Sequence, residues 1–168
     1  MFGATFIIIN NIIEEGANYS QRGKAYSISK ILASFEFVFI LHLMKEIMRI
    51  TNVLCQVLQL HSQDIINAIH LVSTTKILLQ QLRDNGWSKL LKNMKEFYGK
   101  YEIEIPDMGK RYILGRDRSH QPDVTVEHHY RVDVILAAID SQLQELNSRF
   151  NKQTIELLNF KLCFGSQR

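Results

Sequence analysis

An all-α fold is what this sequence predicts: an irregular helical bundle interrupted by one long loop at about residues 101–124. Three observations carry that reading. Apolar residues recur at steps of three and four through most of the chain. Its 168 residues include only two prolines and eight glycines, so few positions break a helix. A two-residue strand period competes only at Ile103–Ile105. One helical domain is expected over residues 1–162, with a polar tail at 163–168.

Phe2, Phe6, Ile9 and Ile13 follow one another at steps of four, three and four, the face of a first helix with Gly16 as its C-cap. Residues 16–30 carry little periodicity and read as a connector that holds at most a short helix, with Ser20 and Ser27 as starts. Ser34 is the N-cap of the strongest segment. Two apolar stripes run along it side by side. One holds Phe37, Ile40, Leu41, Met44, Ile47, Met48, Leu54 and Leu58. The other holds Phe39, Leu43, Ile50, Val53, Val57 and Leu60. Together they cover more than half the helix, which predicts a central element buried on at least two sides.

Ser62 is the cap of the next helix, whose inward face is Ile65, Ile69, Val72, Leu79 and Leu82. Asp84-Asn85-Gly86 is a turn signal, because Asn and Gly accept left-handed backbone angles. Ser88 then caps a short helix with Leu90, Leu91, Met94, Phe97 and Tyr98 inside and Lys89, Lys92, Lys95 and Lys100 outside. Trp87 is a core anchor beside the turn. From residue 101 to about 123 Pro106, Gly109, Gly115 and Pro122 abolish the period, predicting an open, mobile segment that trypsin cuts first. Thr125 starts a long helix with Leu136, Ile139, Leu143, Leu146 and Phe150 inward and Asp133, Asp140, Gln144 and Asn147 in water. A last helix is expected at about residues 152–162.

Chemistry is sparse. Formal net charge is +3, from 20 basic and 17 acidic residues, which neither demands nor excludes a nucleic-acid partner. Cys55 and Cys163 form no CxxC pair, so neither a disulfide framework nor a zinc site is expected and a reducing, intracellular compartment is the default. The apolar start (Phe6, Ile7, Ile8, Ile9, Ile12, Ile13) lacks a signal peptide's basic region, and residues 37–44 fall far short of the ~20 apolar residues of a membrane span. No membrane anchor is expected.

His128 and His129 are adjacent, so their side chains diverge by about 100° on a helix, and with His120, Asp123 and Glu127 they make no zinc geometry. Neither a metal nor another cofactor is expected, and no small-molecule substrate. The acids show no spacing that converges on a pair of divalent ions. Lys110, Arg111, Arg116 and Arg118 stand against the single acid Asp117 and are the candidate phosphate contacts, although between residues 100 and 123 five positive charges meet five negative ones.

Six runs carry a family resemblance: NNIIEEGANYSQRGKA (residues 10–25), SFEFVFILHLMKEI (34–47), DNGWSKLL (84–91), EIEIPDM (102–108), HHYRVDV (128–134) and IDSQLQELNSRF (139–150). In this order and spacing they resemble a plant branch of the hAT transposase superfamily, described as TTF-type zinc-finger proteins with a hAT dimerisation domain, close to the zinc-finger MYM-type group. The similarity covers residues 1–158. A complete member joins an N-terminal zinc finger, an RNase H-like catalytic core, a large helical insertion in that core and a C-terminal dimerisation region. This chain resembles the insertion alone: no residue matches the two aspartates and one glutamate of the catalytic core, the zinc-finger cysteines or the dimerisation block. The resemblance therefore implies a truncated, catalytically inactive remnant in the nucleus, acting as a helical scaffold or interaction module with protein partners on its helical faces. The alternative is a DNA-contacting module that uses the basic loop.

Overall fold

A computed structural model describes residues 2–59, 65–101, 103–113 and 124–151. Among them 84% are helical and no strand forms, so the fold is all-α as the periodicity predicts. The elements are α1 (Phe2–Glu15), α2 (Tyr19–Leu32), α3 (Phe35–Leu58), α4 (Ile65–Tyr101), a short α5 (Val126–His128), a π-helical segment (His129–Leu136) and α6 (Ala137–Arg149). They divide between two compact units. The first holds residues 1–42 and 92–106, the second 43–91 and 107–168. The expected cap Ser62 and the last helix at 152–162 lie outside the described residues.

In the first unit α1 packs against α2. The Gly16 N–H donates to the Ile12 carbonyl at 3.0 Å and ends α1. A Cβ at Gly16 would come within 2.5 Å of that same oxygen, so only glycine fits the exit. The segment after Gly16 is not a connector, because α2 is a full 14-residue helix. Its start is Asn18, whose Oδ1 accepts from the Gln21 N–H at 2.8 Å, in place of Ser20 or Ser27. The weak apolar period of this segment reflects a helix that buries one residue, Ala25. Ser34 both closes α2 and opens α3, donating its hydroxyl to Ile31 O at 2.7 Å and accepting from Phe37 N at 3.2 Å. The unit is filled by rings. Phe2 meets Phe97 and Tyr101 edge-on, Phe35 stacks on Phe39 and Tyr98, and the Tyr98 hydroxyl donates to Phe35 O at 3.1 Å.

Along α3 a single face is buried, drawn from both expected stripes: Phe35, Val38, Phe39, Leu43, Ile47, Ile50 and Leu54. Ile40, Leu41, Met44, Met48, Val53 and Leu58 remain 40–60% exposed, so two-sided burial does not occur. The buried face takes Ile47 and Leu54 from one expected stripe and Phe39, Leu43 and Ile50 from the other, and leaves Met44, Met48, Val53 and Leu58 open.

α4 runs unbroken for 37 residues, straight through the expected turn and past Ser88. Asp84 is satisfied along the helix, accepting from the Gln80 amide at 3.0 and 3.1 Å, so its turn-forming capacity is spent locally. The Leu82 side chain leans over Gly86, with Cδ1 2.6 Å from where a Cβ would stand. Turn propensity is a local preference of about 1 kcal/mol for Gly, and packing along the helix outweighs it. In the second unit Val72, Leu79, Leu90, Val126, Tyr130, Ile135 and Ile139 are buried. Three polar ties join α4 to later elements: Lys76 Nζ to Phe150 O at 3.5 Å, Arg83 to Asp140 and Trp87 to Glu127.

The long helix expected from Thr125 begins there, with Thr125 Oγ1 accepting from His128 N at 3.2 Å. Its register differs. The buried residues Val126, Tyr130, Ile135 and Ile139 are spaced four, five and four, because the Ala137 N–H reaches Val132 O, five residues back. Leu136, Leu143, Leu146 and Phe150 are consequently only half-buried. The extra residue of a π turn shifts the buried face by one position.

Candidate functional site

The described ends of the expected open loop are held by backbone. Asp107-Met108-Gly109-Lys110 makes a turn in which Asp107 Oδ1 accepts from Gly109 N at 3.0 Å and Asp107 O from Lys110 N at 3.1 Å. The chain then pairs with the approach to α5. Tyr112 N donates to Val124 O at 2.8 Å, Val126 N to Lys110 O at 2.8 Å and Glu127 N to Met108 O at 3.0 Å, around an antiparallel bridge of Arg111 with Thr125. Ile103, read as a competing strand residue, is buried without joining a strand. The backbone at Met108, Lys110 and Tyr112 is therefore paired rather than open. Four periodicity breakers are visible in sequence, but a partner strand of one bridge leaves no period to read.

Side chains converge on this clasp. The Tyr112 ring lies flat on His129, with centroids 3.7 Å apart and planes 12° apart, and Tyr130 meets both rings edge-on. His129 Nδ1 is 3.1 Å from Asp133 Oδ2, one helical turn on. Trp87 Nε1 donates to Glu127 Oε1 at 3.2 Å, and Arg131 Nη1 lies 3.8 Å from the same oxygen. Trp87 is thus a half-buried strut between α4 and α5 rather than an anchor beside a turn.

Of the candidate phosphate contacts, Lys110 and Arg111 lie on the clasp with exposed side chains, and Arg116 and Arg118 lie outside the described residues. So do His120 and Asp123. His128 is exposed and His129 is engaged with Tyr112 and Asp133. Among the described residues no group of three His, Cys, Asp or Glu side chains could hold a metal ion. Asp140 is on the wet side as expected, but ion-paired: Arg83 Nε and Nη2 donate to its two oxygens at 2.5 and 3.2 Å. These hydrogen bonds hold the Asp140 carboxyl below its ordinary range and raise Arg83 above its own. A separate cleft of about 210 Å³ between α3 and α4 is lined by residues that include Glu46, Arg49, Ile50, Leu82 and Lys89.

The geometry offers two kinds of surface. The clasp presents two cations on a pinned backbone, and α1, α2 and α3 present apolar side chains to solvent. Among the described residues no single helix is long and apolar enough to cross a membrane. Comparison with protein-family models, with characterised proteins and with solved structures finds no match for this chain.

Proposed function

We propose that this chain is a helical interaction module without a catalytic step of its own, related to the helical insertion of hAT-type transposases and working in the nucleus. The observation that carries the reading is the exposure of large apolar side chains: Ile7, Ile8, Ile31 and Met48 are each about 60% open. Large apolar side chains left open on helix faces mark sites where another macromolecule binds. Its non-enzymatic character rests on the absent match to the transposase carboxylates, since phosphoryl transfer needs acids that hold divalent ions.

Two measurements test it. The natively folded protein should bind an apolar dye such as ANS, and Ile8→Ser with Ile31→Ser should reduce that binding while the helical circular dichroism persists. Incubation with DNA carrying terminal inverted repeats and Mg²⁺ should give no cleavage. Dye binding that appears only on unfolding, or cleavage that co-purifies with the protein and vanishes in Asp133→Asn, sinks the reading.

One observation favours DNA contact as a second reading: Lys110 and Arg111 are exposed on a backbone fixed by the bonds to Val124 and Val126. Binding through them would weaken steeply with salt, and Lys110→Gln with Arg111→Gln would flatten that dependence.

A further inference from the structure

The cleft between α3 and α4 lies wholly within the second unit. Its floor is apolar, since Ile50 and Gly86 are buried and Leu82 is half-buried. Its rim is polar. Glu46 is the one acid among the described lining residues, and it accepts from Arg49 Nε at 3.1 Å. That pairing leaves both Nη groups of Arg49, the Lys89 ammonium and the side-chain amides of Gln81 and Asn85 without a partner among the described residues. The cleft therefore carries one positive charge in excess and a surplus of hydrogen-bond donors.

Gly86 has a part in its shape. Glycine is among the least favourable residues in a helix interior, yet α4 runs through it unbroken. The Leu82 side chain leans over the position, with Cδ1 2.6 Å from where a Cβ would stand. An alanine there would displace Leu82, which is itself a wall of the cleft. The glycine that reads as a turn in the sequence shapes a recess in a continuous helix.

We propose that this cleft binds a small monocarboxylate with a short apolar body. Lys89 and the free edge of Arg49 meet the carboxylate, and Ile50 and Leu82 cover the body. The excess charge of the rim is answered by one negative group on the ligand, and a neutral ligand would leave it unanswered. Inorganic phosphate has no apolar surface to bury against the floor. A volume of about 210 Å³ is below the ~300–1,000 Å³ of pockets for drug-sized ligands, so nucleotides and lipids are too large. A free acid and the C-terminal leucine of a peptide present this same chemistry. The site is separate from the exposed apolar side chains that carry the interaction-module reading, so its failure leaves that reading standing.

Titration of isotope-labelled protein with isocaproate tests it by NMR, read from the Gly86 backbone amide and the side-chain amides of Gln81 and Asn85. Those signals should shift saturably in the millimolar range, as suits so small a ligand. Isocaproamide, with the same body and no charge, should bind several-fold more weakly. Lys89→Gln should weaken isocaproate binding several-fold, whereas Lys95→Gln, at an exposed lysine of α4 outside the cleft, should leave it unchanged. Gly86→Ala should also weaken binding while the helical circular dichroism persists, because it moves a wall and removes no charge. Acetyl-Gly-Leu separates the two sources: saturable shifts with its free acid show that a peptide C-terminus fits, and shifts with isocaproate alone assign the cleft to a free acid. No saturable shift with either acid, equal binding of isocaproate and its amide, equal effects of the two lysine variants or an unchanged affinity in Gly86→Ala overturns the site.

Discussion

Ile8 and Ile139 are the same residue in apolar stretches of two helices, yet one is 59% exposed and the other fully buried. The difference extends to their surroundings. α1 has no buried residue and α2 only Ala25. Residues 126–139 bury Val126, Tyr130, Ile135 and Ile139, and their start is pinned where Val126 N donates to Lys110 O, Glu127 N to Met108 O and Trp87 Nε1 to Glu127 Oε1. Apolar content gives a helix its opportunity to pack; long-range ties decide where that opportunity is taken. The α1–α2 pair belongs at the low end of local stability and the clasped segment near the global value.

The largest effect expected from this contrast lies within one helix. Ile47 is 6% exposed, so Ile47→Asp buries a charge without a partner at a cost of several kcal/mol, a large part of a typical ~5–15 kcal/mol stability. Leu41 is 42% exposed, and Leu41→Asp should leave the helical circular dichroism and a cooperative melt in place. Unfolding by both would restore the two-sided burial that the sequence pattern suggests.

Next in size, Ile139→Ala should cost about 2–5 kcal/mol in urea denaturation, from lost transfer energy and the cavity left behind. Ile8→Ala should stay within about 0.5 kcal/mol. Equal losses would mean that α1 is covered in solution. Trp87→Phe keeps the ring but removes the hydrogen bond to Glu127, an expected loss of about 1 kcal/mol. It should be accompanied by faster amide exchange at Val126 and Glu127, with α1 amides unchanged.

These contrasts show what the sequence can and cannot say. Capping is local chemistry, so Ser34 and Thr125 are readable, as is the Phe2-Phe6-Ile9-Ile13 face of α1. Asn18 is masked because two serines nearby offer the same chemistry. Asp84-Asn85-Gly86 misleads because the Gln80–Asp84 bond and the packing of Leu82 over Gly86 hold the helix through a turn signal. The π turn is legible only in hindsight, as the five-residue step from Tyr130 to Ile135. The clasp is invisible because its bonds join residues more than ten positions apart with no shared period. Of the candidate site, Lys110 and Arg111 are legible as cations, whereas the stacking of Tyr112 on His129 is a tertiary fact.

The smallest expected effect concerns the charged tie of the same clasped region. Arg83 donates two hydrogen bonds to Asp140, and these, opposed by partial burial and helped by the opposite charge, hold the carboxyl below its ordinary value. A carboxyl depressed in the folded state stabilises it above the unfolded pKa, and that contribution is lost as pH falls through the folded pKa. Arg83 stays charged throughout, so Asp140 alone sets the window, which begins near pH 4 and extends below it. Wild type and Asp140→Asn should therefore differ by a constant increment in thermal midpoint from neutral pH to about pH 5, and converge as the pH drops further. Arg83→Gln should reproduce the same convergence, because it removes the partner that shifts the group. Both side chains are substantially exposed, so added salt should shrink the increment as well. An increment that persists undiminished at pH 3, or an Arg83→Gln protein with the wild-type acid slope, would show that the tie contributes nothing through its charge.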